Sequence, residues 1–136
     1  MVTVTFPGRL ESLEKISDFV QQVARSANLN ERDVYAVQLA VDEACTNIIE
    51  HAYHGEGVGD IVCSCDVIGD GLKVVLLDRA SPFHPETMPE PVLDVPLEDV
   101  KSRGLGMFLM RKMMDDVKFE ASPGGGNCLT MIKHKK

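Results

Sequence analysis

The sequence predicts a single α+β domain, a two-layer sandwich in which a mixed, mostly antiparallel sheet carries about three helices on one face. Three observations support this prediction. Strand-like and helical segments follow the order βααββ, a long loop, then αββ. Strands that are adjacent in the sequence are separated by short turns, which favours antiparallel pairing. The length of 136 residues, 44% of them hydrophobic, suits one domain with a sizeable core.

The first half of the chain contains one short strand and two helices. Residues Val2–Phe6 alternate with threonines and predict the strand. Apolar residues recur at every third or fourth position from Leu10 to Ala27 and predict the first helix. Asn30, with Asp33 three residues later, resembles a capping box and begins a second helix that continues to about Tyr53.

The second half is predicted from the same periodicities. Residues from about Ser81 to Ser102 contain five prolines and form a long loop, and loops of this length are usually functional. Gly69-Asp70-Gly71 is typical of a tight hairpin turn. The predicted elements are the strands Ile61–Ile68 and Leu72–Leu77, the helix Gly104–Asp116, and the strands Val117–Ala121 and Cys128–Lys133.

The composition argues against several classes of function. A formal net charge of −7 disfavours a surface for nucleic acid or anionic membranes. No apolar run approaches the ~18 residues of a transmembrane helix, and the first residues do not resemble a secretion signal. The four cysteines form no CxxC pair, and Cys63 and Cys65 alternate as on one buried strand face, which suits reduced thiols. We therefore expect a soluble, cytoplasmic protein.

The segment from Asp42 to His51 carries the strongest functional signal. Its apolar residues repeat with helical period, whereas Glu43 and Asn47 lie four residues apart on a neighbouring polar stripe. Side chains at this spacing share a helix face, with Cβ atoms roughly 5–6 Å apart. A carboxylate can accept a proton from a hydroxyl, and an amide oxygen can bind a hard cation such as Mg²⁺. By itself the pattern favours a solvated helix face, and the later segments change that interpretation.

Later segments add candidate ligand-binding groups. Asp78 ends a predicted strand, where it is either a polar strand end or an acceptor for an exocyclic amine such as that of adenine. Gly104 and Gly106 begin a helix, and they act either as a hinge or as a phosphate-binding N-terminus. The third glycine of a dinucleotide fingerprint and the P-loop motif are both absent from the sequence. Thr130 is either an ordinary strand residue or a hydroxyl that faces the adenine crevice.

The order of these segments resembles the ATP-binding domain shared by gyrase, heat-shock chaperones, histidine kinases and mismatch-repair ATPases. Within that group the chain is most similar to the small anti-sigma-factor serine/threonine kinases. The resemblance covers nearly the whole chain and rests on four segments together: Phe6-Pro7-Gly8-Arg9, Ala40–Asn47, His51-Ala52-Tyr53 and Gly104–Met110.

The resemblance implies a role for each candidate residue. Glu43 would be the general base for the acceptor serine or threonine, and Asn47 would bind Mg²⁺. Asp78 would bind the adenine amine of ATP with support from Thr130, and residues 84–103 would form a lid over the phosphates. The other nucleotide contacts would come from Ala80 and from the start of the third helix: Arg103, Gly104, Leu105, Gly106 and Met107.

One position departs from the pattern of the family. The family usually has glycine two residues after the adenine-binding aspartate, where this chain has Ala80. A methyl group there would crowd the base or require an unfavourable positive φ. We therefore expect a return to glycine to tighten ATP binding modestly.

The resemblance further implies an ATP-dependent serine/threonine kinase that sequesters a sigma factor and phosphorylates an antagonist protein, with a homodimer as a possible assembly. The alternative is a non-catalytic ATP-binding or protein-sequestering module on the same fold, which Ala80 favours and the intact Glu43 and Asn47 oppose. The catalytic half of a histidine kinase is a weaker alternative, because the first helix has no histidine. A response-regulator phosphatase as the partner is also compatible with the sequence.

Overall fold

The computed structural model describes residues 1–81, 102–122 and 125–135, and these residues form a five-stranded sheet with helices on one face. The spatial order of the strands is β1-β2-β3-β5-β4. The strands are β1 (Val2–Pro7), β2 (Asp60–Ile68), β3 (Gly71–Asp78), β4 (Asp116–Ala121) and β5 (Asn127–His134). The predicted α+β sandwich is confirmed, and each described strand pairing is antiparallel.

The helices are α1 (Ser12–Ser26), α2 (Glu31–Asn47) and α3 (Ser102–Met113). Asn30 caps α2 as predicted, because its Oδ1 accepts a hydrogen bond from the Asp33 N–H at 2.8 Å. Beyond α2 the chain continues through a π-helical segment, Ile48–Ala52. The third helix ends at Met113 rather than at Asp116, since Asp116 already pairs in β4. Across the described ranges, no helix combines the length and apolar character needed to span a membrane.

The core lies between the helices and one face of the sheet. Leu72 and Leu76 of β3 are fully buried on that face. Cys63 and Cys65 of β2 lie on the same face, as predicted, and Cys45 of α2 is buried with them. All of these cysteines are free thiols, and burial raises the pKa of the Cys45 thiol above its ordinary value. They therefore behave as small apolar core residues.

A buried lysine fixes the end of α3 to the sheet. Lys133 of β5 is 7% exposed, and its Nζ donates a hydrogen bond to the Met113 carbonyl at 2.7 Å. A cation at the carboxyl end of a helix is favoured by the helix dipole and satisfies a carbonyl that has no partner within the helix. Met110 in α3 and Met114 directly after it are buried in the core. The carboxyl end of α3 is thus held by both packing and charge.

Candidate functional site

Asp78 is the last residue of β3, and its side chain lies on the helix-covered face of the sheet. It follows the alternation of Leu72 and Leu76, and it is 8% exposed. Its Oδ1 accepts two hydrogen bonds, from the Ala80 backbone N–H at 2.9 Å and from Asn127 Nδ2 at 3.0 Å. Among the described residues no other hydrogen bond reaches this carboxylate, so Oδ2 retains its capacity as an acceptor.

Asn127 is a candidate site residue that the sequence did not single out. It stands opposite Asp78 in the pairing of β3 with β5, and its Nδ2 also donates to the Ser81 carbonyl at 3.0 Å. The preceding residue, Gly126, has a φ of 91°, and a Cβ at that position would collide with the Asp78 carbonyl. A glycine run directly before a polar strand residue is the signal that could have identified Asn127.

Thr130 lies on the opposite face of the sheet from Asp78. It pairs with Val75, and side chains alternate between the two faces along a strand. Its Oγ1 is 4.0 Å from the Sγ of Cys128, which shares that open face. Because Thr130 is an odd number of positions from Asn127, it cannot share the crevice of Asp78. The expectation that the Thr130 hydroxyl faces the same side as Asp78 is therefore wrong, and Asn127 is the β5 residue beside Asp78.

Ala80 has an ordinary backbone conformation. Among the described residues, positive φ values outside glycine occur at Asn28 and His54. The expectation of backbone strain at Ala80 is therefore wrong. Ala80 is 9% exposed and belongs to the apolar core, and its N–H closes an Asx turn onto the carboxylate of Asp78.

Glu43 and Asn47 lie on consecutive turns of α2, and both are half-buried. The neighbouring Cys45 is fully buried, so the pair lies at the border between core and surface. The π-helical segment begins directly after Asn47, and such segments often occur at functional sites. Burial raises the pKa of the adjacent Asp42 carboxyl, although a hydrogen bond with Gln38 acts in the opposite direction.

Tyr53 connects the π-helical segment to the two strands beside it. Its hydroxyl donates a hydrogen bond to the Asp60 carbonyl at 2.6 Å and accepts one from the Arg79 backbone N–H at 2.9 Å. Arg79 follows Asp78 directly, so the phenol reaches the strand end that carries the carboxylate. Tyr53 itself is 7% exposed.

Of the two glycines in the predicted phosphate site, one lies in the first turn of α3 and the other lies beyond it. The helix begins at Ser102, so Gly104 lies in its first turn, where backbone N–H groups have no partner within the helix. Gly106 lies beyond that first turn, where the N–H groups bond within the helix. The predicted lid, 84–103, lies outside the described residues except for the backbone at its end. The expected contacts of Arg103, Leu105 and Met107 concern side chains that also lie outside the described part of the structure.

An open groove of about 1180 Å³ lies at the same end of the sheet. Thr5, Val62 and Leu77 line it, and these residues alternate with the core-facing positions of their strands. The groove therefore opens on the face away from the helices. Asp78 and Arg79 also line the groove, so it reaches the strand end that carries the carboxylate.

Comparisons with known proteins agree with this architecture. Among solved structures, the RsbU and RsbW domains of a protein from Mycobacterium tuberculosis match with a TM-score of 0.67 and 12% identity, over 98% of this chain and 31% of that chain. The catalytic domain of histidine kinase ThkA matches with a TM-score of 0.58 and 16% identity, over 99% of this chain and 98% of that domain. At these identities the likeness shows the fold.

Curated sequence relatives are closer. The serine-protein kinase RsbW of Halalkalibacterium halodurans is 28% identical over 127 residues, which cover 90% of this chain and 77% of the relative. The serine-protein kinase RsbW of Bacillus mycoides has the same identity over 90% of this chain and 79% of the relative. The family model described as a histidine kinase-like ATPase domain matches residues 6–133. The chain therefore belongs to the family of histidine kinase-like ATPase domains.

Proposed function

We propose that this chain is an ATP-dependent serine/threonine protein kinase that acts as an anti-sigma factor in a partner-switching system. The observation that carries the proposal is the Asp78 carboxylate, which is held at Oδ1 by two donors and keeps Oδ2 for a ligand. Glu43 and Asn47 add a base and an amide one turn apart on α2. The names of the curated relatives, serine-protein kinases, support a protein hydroxyl as the acceptor.

Adenine suits the free oxygen of Asp78. An ionised carboxylate accepts hydrogen bonds and cannot donate them, so Oδ2 fits an exocyclic amine and disfavours the carbonyl that guanine has in its place. Asn127 Nδ2 donates to Oδ1 of Asp78, so the adenine amine would donate to Oδ2. The amides in the first turn of α3, up to Gly104, are candidate partners for phosphate oxygens.

Asn47 and Glu43 have the chemistry that phosphoryl transfer requires. The amide oxygen of Asn47 would be a Mg²⁺ ligand, because amide and carboxylate oxygens are the hard donors that this ion prefers. Bound Mg²⁺ would neutralise charge on the nucleotide phosphates. Glu43 would accept the proton of the attacking hydroxyl, a contribution of roughly 10²–10⁴-fold in rate. Its half-buried position leaves the carboxylate accessible at the edge of the core.

The proposed partners are a sigma factor and an antagonist protein that carries the acceptor serine or threonine. We also propose a cytoplasmic location and a homodimeric assembly. Ala80 is the residue that favours a non-catalytic module, and its ordinary φ removes backbone strain as a reason for that alternative.

The test is transfer of the γ-phosphoryl group. The purified chain is incubated with γ-labelled ATP, Mg²⁺ and candidate antagonist domains, and label is expected on the antagonist. A chelator should abolish the label, and so should an antagonist whose acceptor residue is replaced by alanine. No ATP binding at millimolar concentration would contradict the proposal. Binding without transfer to any candidate would instead favour the non-catalytic module.

A further inference from the structure

Tyr53 joins the two halves of the proposed site. We infer that Tyr53 is a positioning residue whose phenol fixes the adenine-binding end of β3 relative to the metal-binding end of α2. This inference rests on the proposed function, because it concerns the spacing between Asp78 and Asn47. Three features of Tyr53 support this role: its backbone attachment, its two hydrogen bonds and the packing of its ring.

The backbone of Tyr53 is attached to the helix that carries Asn47. The Tyr53 N–H donates to the Ile48 carbonyl at 2.8 Å, and Ile48 is the residue directly after Asn47. The π-helical turns between them form a short, hydrogen-bonded connection. Tyr53 therefore moves with the carboxyl end of α2.

The hydroxyl of Tyr53 is attached to the strands. In the register of β2 with β3, Val62 pairs with Leu77, so Asp60 and Arg79 come opposite each other two positions further on. The phenol lies between them, donating to the Asp60 carbonyl and accepting from the Arg79 N–H. It thus bridges the two strands where their ladder ends, directly beside Asp78.

The ring of Tyr53 is held in place. A Cβ built on Gly59 would lie 2.6 Å from the Cε1 of the ring, so the ring packs directly against that glycine. The Gly59 carbonyl in turn accepts a hydrogen bond from the Gly8 N–H at 2.9 Å. The pKa of the Tyr53 hydroxyl is raised overall, because the effect of burial exceeds the opposing effect of the hydrogen bond from Arg79. The phenol therefore keeps the proton that it donates to Asp60.

The orientation of the Asp78 carboxylate does not depend on Tyr53, because Ala80 and Asn127 hold it separately. Loss of the phenol should therefore leave the adenine contact intact and loosen its position relative to Asn47. A ligand that contacts Asp78 and not Asn47 should therefore bind with nearly unchanged affinity. A ligand that spans Asp78 and Asn47 would lose affinity.

The experiment compares adenosine with Mg·ATP as ligands of the wild type and of Tyr53→Phe. We expect Mg·ATP affinity to fall about tenfold in the variant, the scale of a lost net hydrogen bond, while adenosine affinity stays within about twofold. Tyr35→Phe is the matched control. Tyr35 is the other tyrosine of the chain, lies on α2 and is 60% exposed, so both affinities should remain at wild-type values.

The outcomes separate this inference from the proposed function. Equal losses for both ligands, or no loss for either, would overturn the inference while the kinase proposal stands. Failure of the wild type to bind Mg·ATP would overturn both. If Tyr53→Phe does not fold, amide hydrogen exchange of the wild type decides: the Arg79 amide should be protected like the amides of β3, and fast exchange there would overturn the inference.

Discussion

Asn127 and Asp78 face each other across β5 and β3, with Asn127 Nδ2 3.0 Å from Asp78 Oδ1. The pair stands at the first position of one strand and the last of the other, where the sheet meets the turn that contains Ala80. The described hydrogen bonds of Asn127 Nδ2 go to Asp78 Oδ1 and to the Ser81 carbonyl, so neither of them occupies Asp78 Oδ2. The orientation of the Asp78 carboxylate is therefore set by β5 as well as by its own strand.

Replacement of Asn127 by alanine should weaken ATP binding. Hydrogen bonds to charged groups contribute about 1.5–3 kcal/mol, so we expect a loss of roughly 10- to 100-fold in affinity, measured by titration with a fluorescent ATP analogue. Thr130→Ala is the matched control, because Thr130 lies in the same strand on the open face. A larger loss of ATP affinity in Thr130→Ala than in Asn127→Ala would contradict the proposed role of Asn127 beside Asp78.

Features that depend on local pattern could be predicted from the sequence. The cap at Asn30 and the shared face of Cys63 and Cys65 are examples, since each follows from spacing within one element. The face of Thr130 could not be predicted, because it depends on where β5 begins after a glycine run. The bond between Tyr53 and Arg79 joins a hydroxyl to a backbone N–H 26 residues away, and backbone partners leave no pattern in a sequence.

Substitutions at Glu43 and Asn47 should affect different quantities, the rate of phosphoryl transfer at Glu43 and the Mg²⁺ dependence of ATP affinity at Asn47. Glu43→Gln should retain Mg·ATP affinity and lose roughly 10²–10⁴-fold in the rate of phosphoryl transfer, since it removes the base alone. Asn47→Ala should instead abolish the Mg²⁺ dependence of ATP affinity. Both are measured by titration with and without Mg²⁺ and by transfer to an antagonist domain. Wild-type transfer by Glu43→Gln would contradict its role.

Lys133→Met should destabilise the fold through α3. The substitution removes the cation and the hydrogen bond to the Met113 carbonyl, which together contribute about 1–2 kcal/mol to the free energy of unfolding. Urea unfolding measures the loss, and the exposed Lys135→Met is the control. Equal stability of the two variants would show that the buried ammonium adds nothing to the attachment of α3.

Asp42→Asn should change the pH dependence of stability. Burial raises the pKa of the Asp42 carboxyl in the folded protein. Its contribution to stability is therefore fully present below its unfolded pKa of about 4 and is lost as pH rises through the folded pKa. The variant resembles the protonated form, so it should match the wild type in acid and be more stable near neutral pH. Urea unfolding across this range tests the sign, with the exposed Asp18→Asn as control. A variant less stable than wild type at pH 7 would contradict it.

Ala80→Gly should destabilise the protein without tightening ATP binding. Ala80 has no positive φ that glycine could relieve, and its methyl group is buried in the core. Loss of that methyl costs about 0.8 kcal/mol, and the added freedom of the unfolded chain costs about 0.4–1 kcal/mol more. The sum is a decrease of about 1–2 kcal/mol in the free energy of unfolding, measured in urea. Ala121→Gly is the control, because Ala121 is exposed and loses the second contribution alone. An ATP affinity several-fold above wild type in Ala80→Gly would show instead that the methyl group crowds the base.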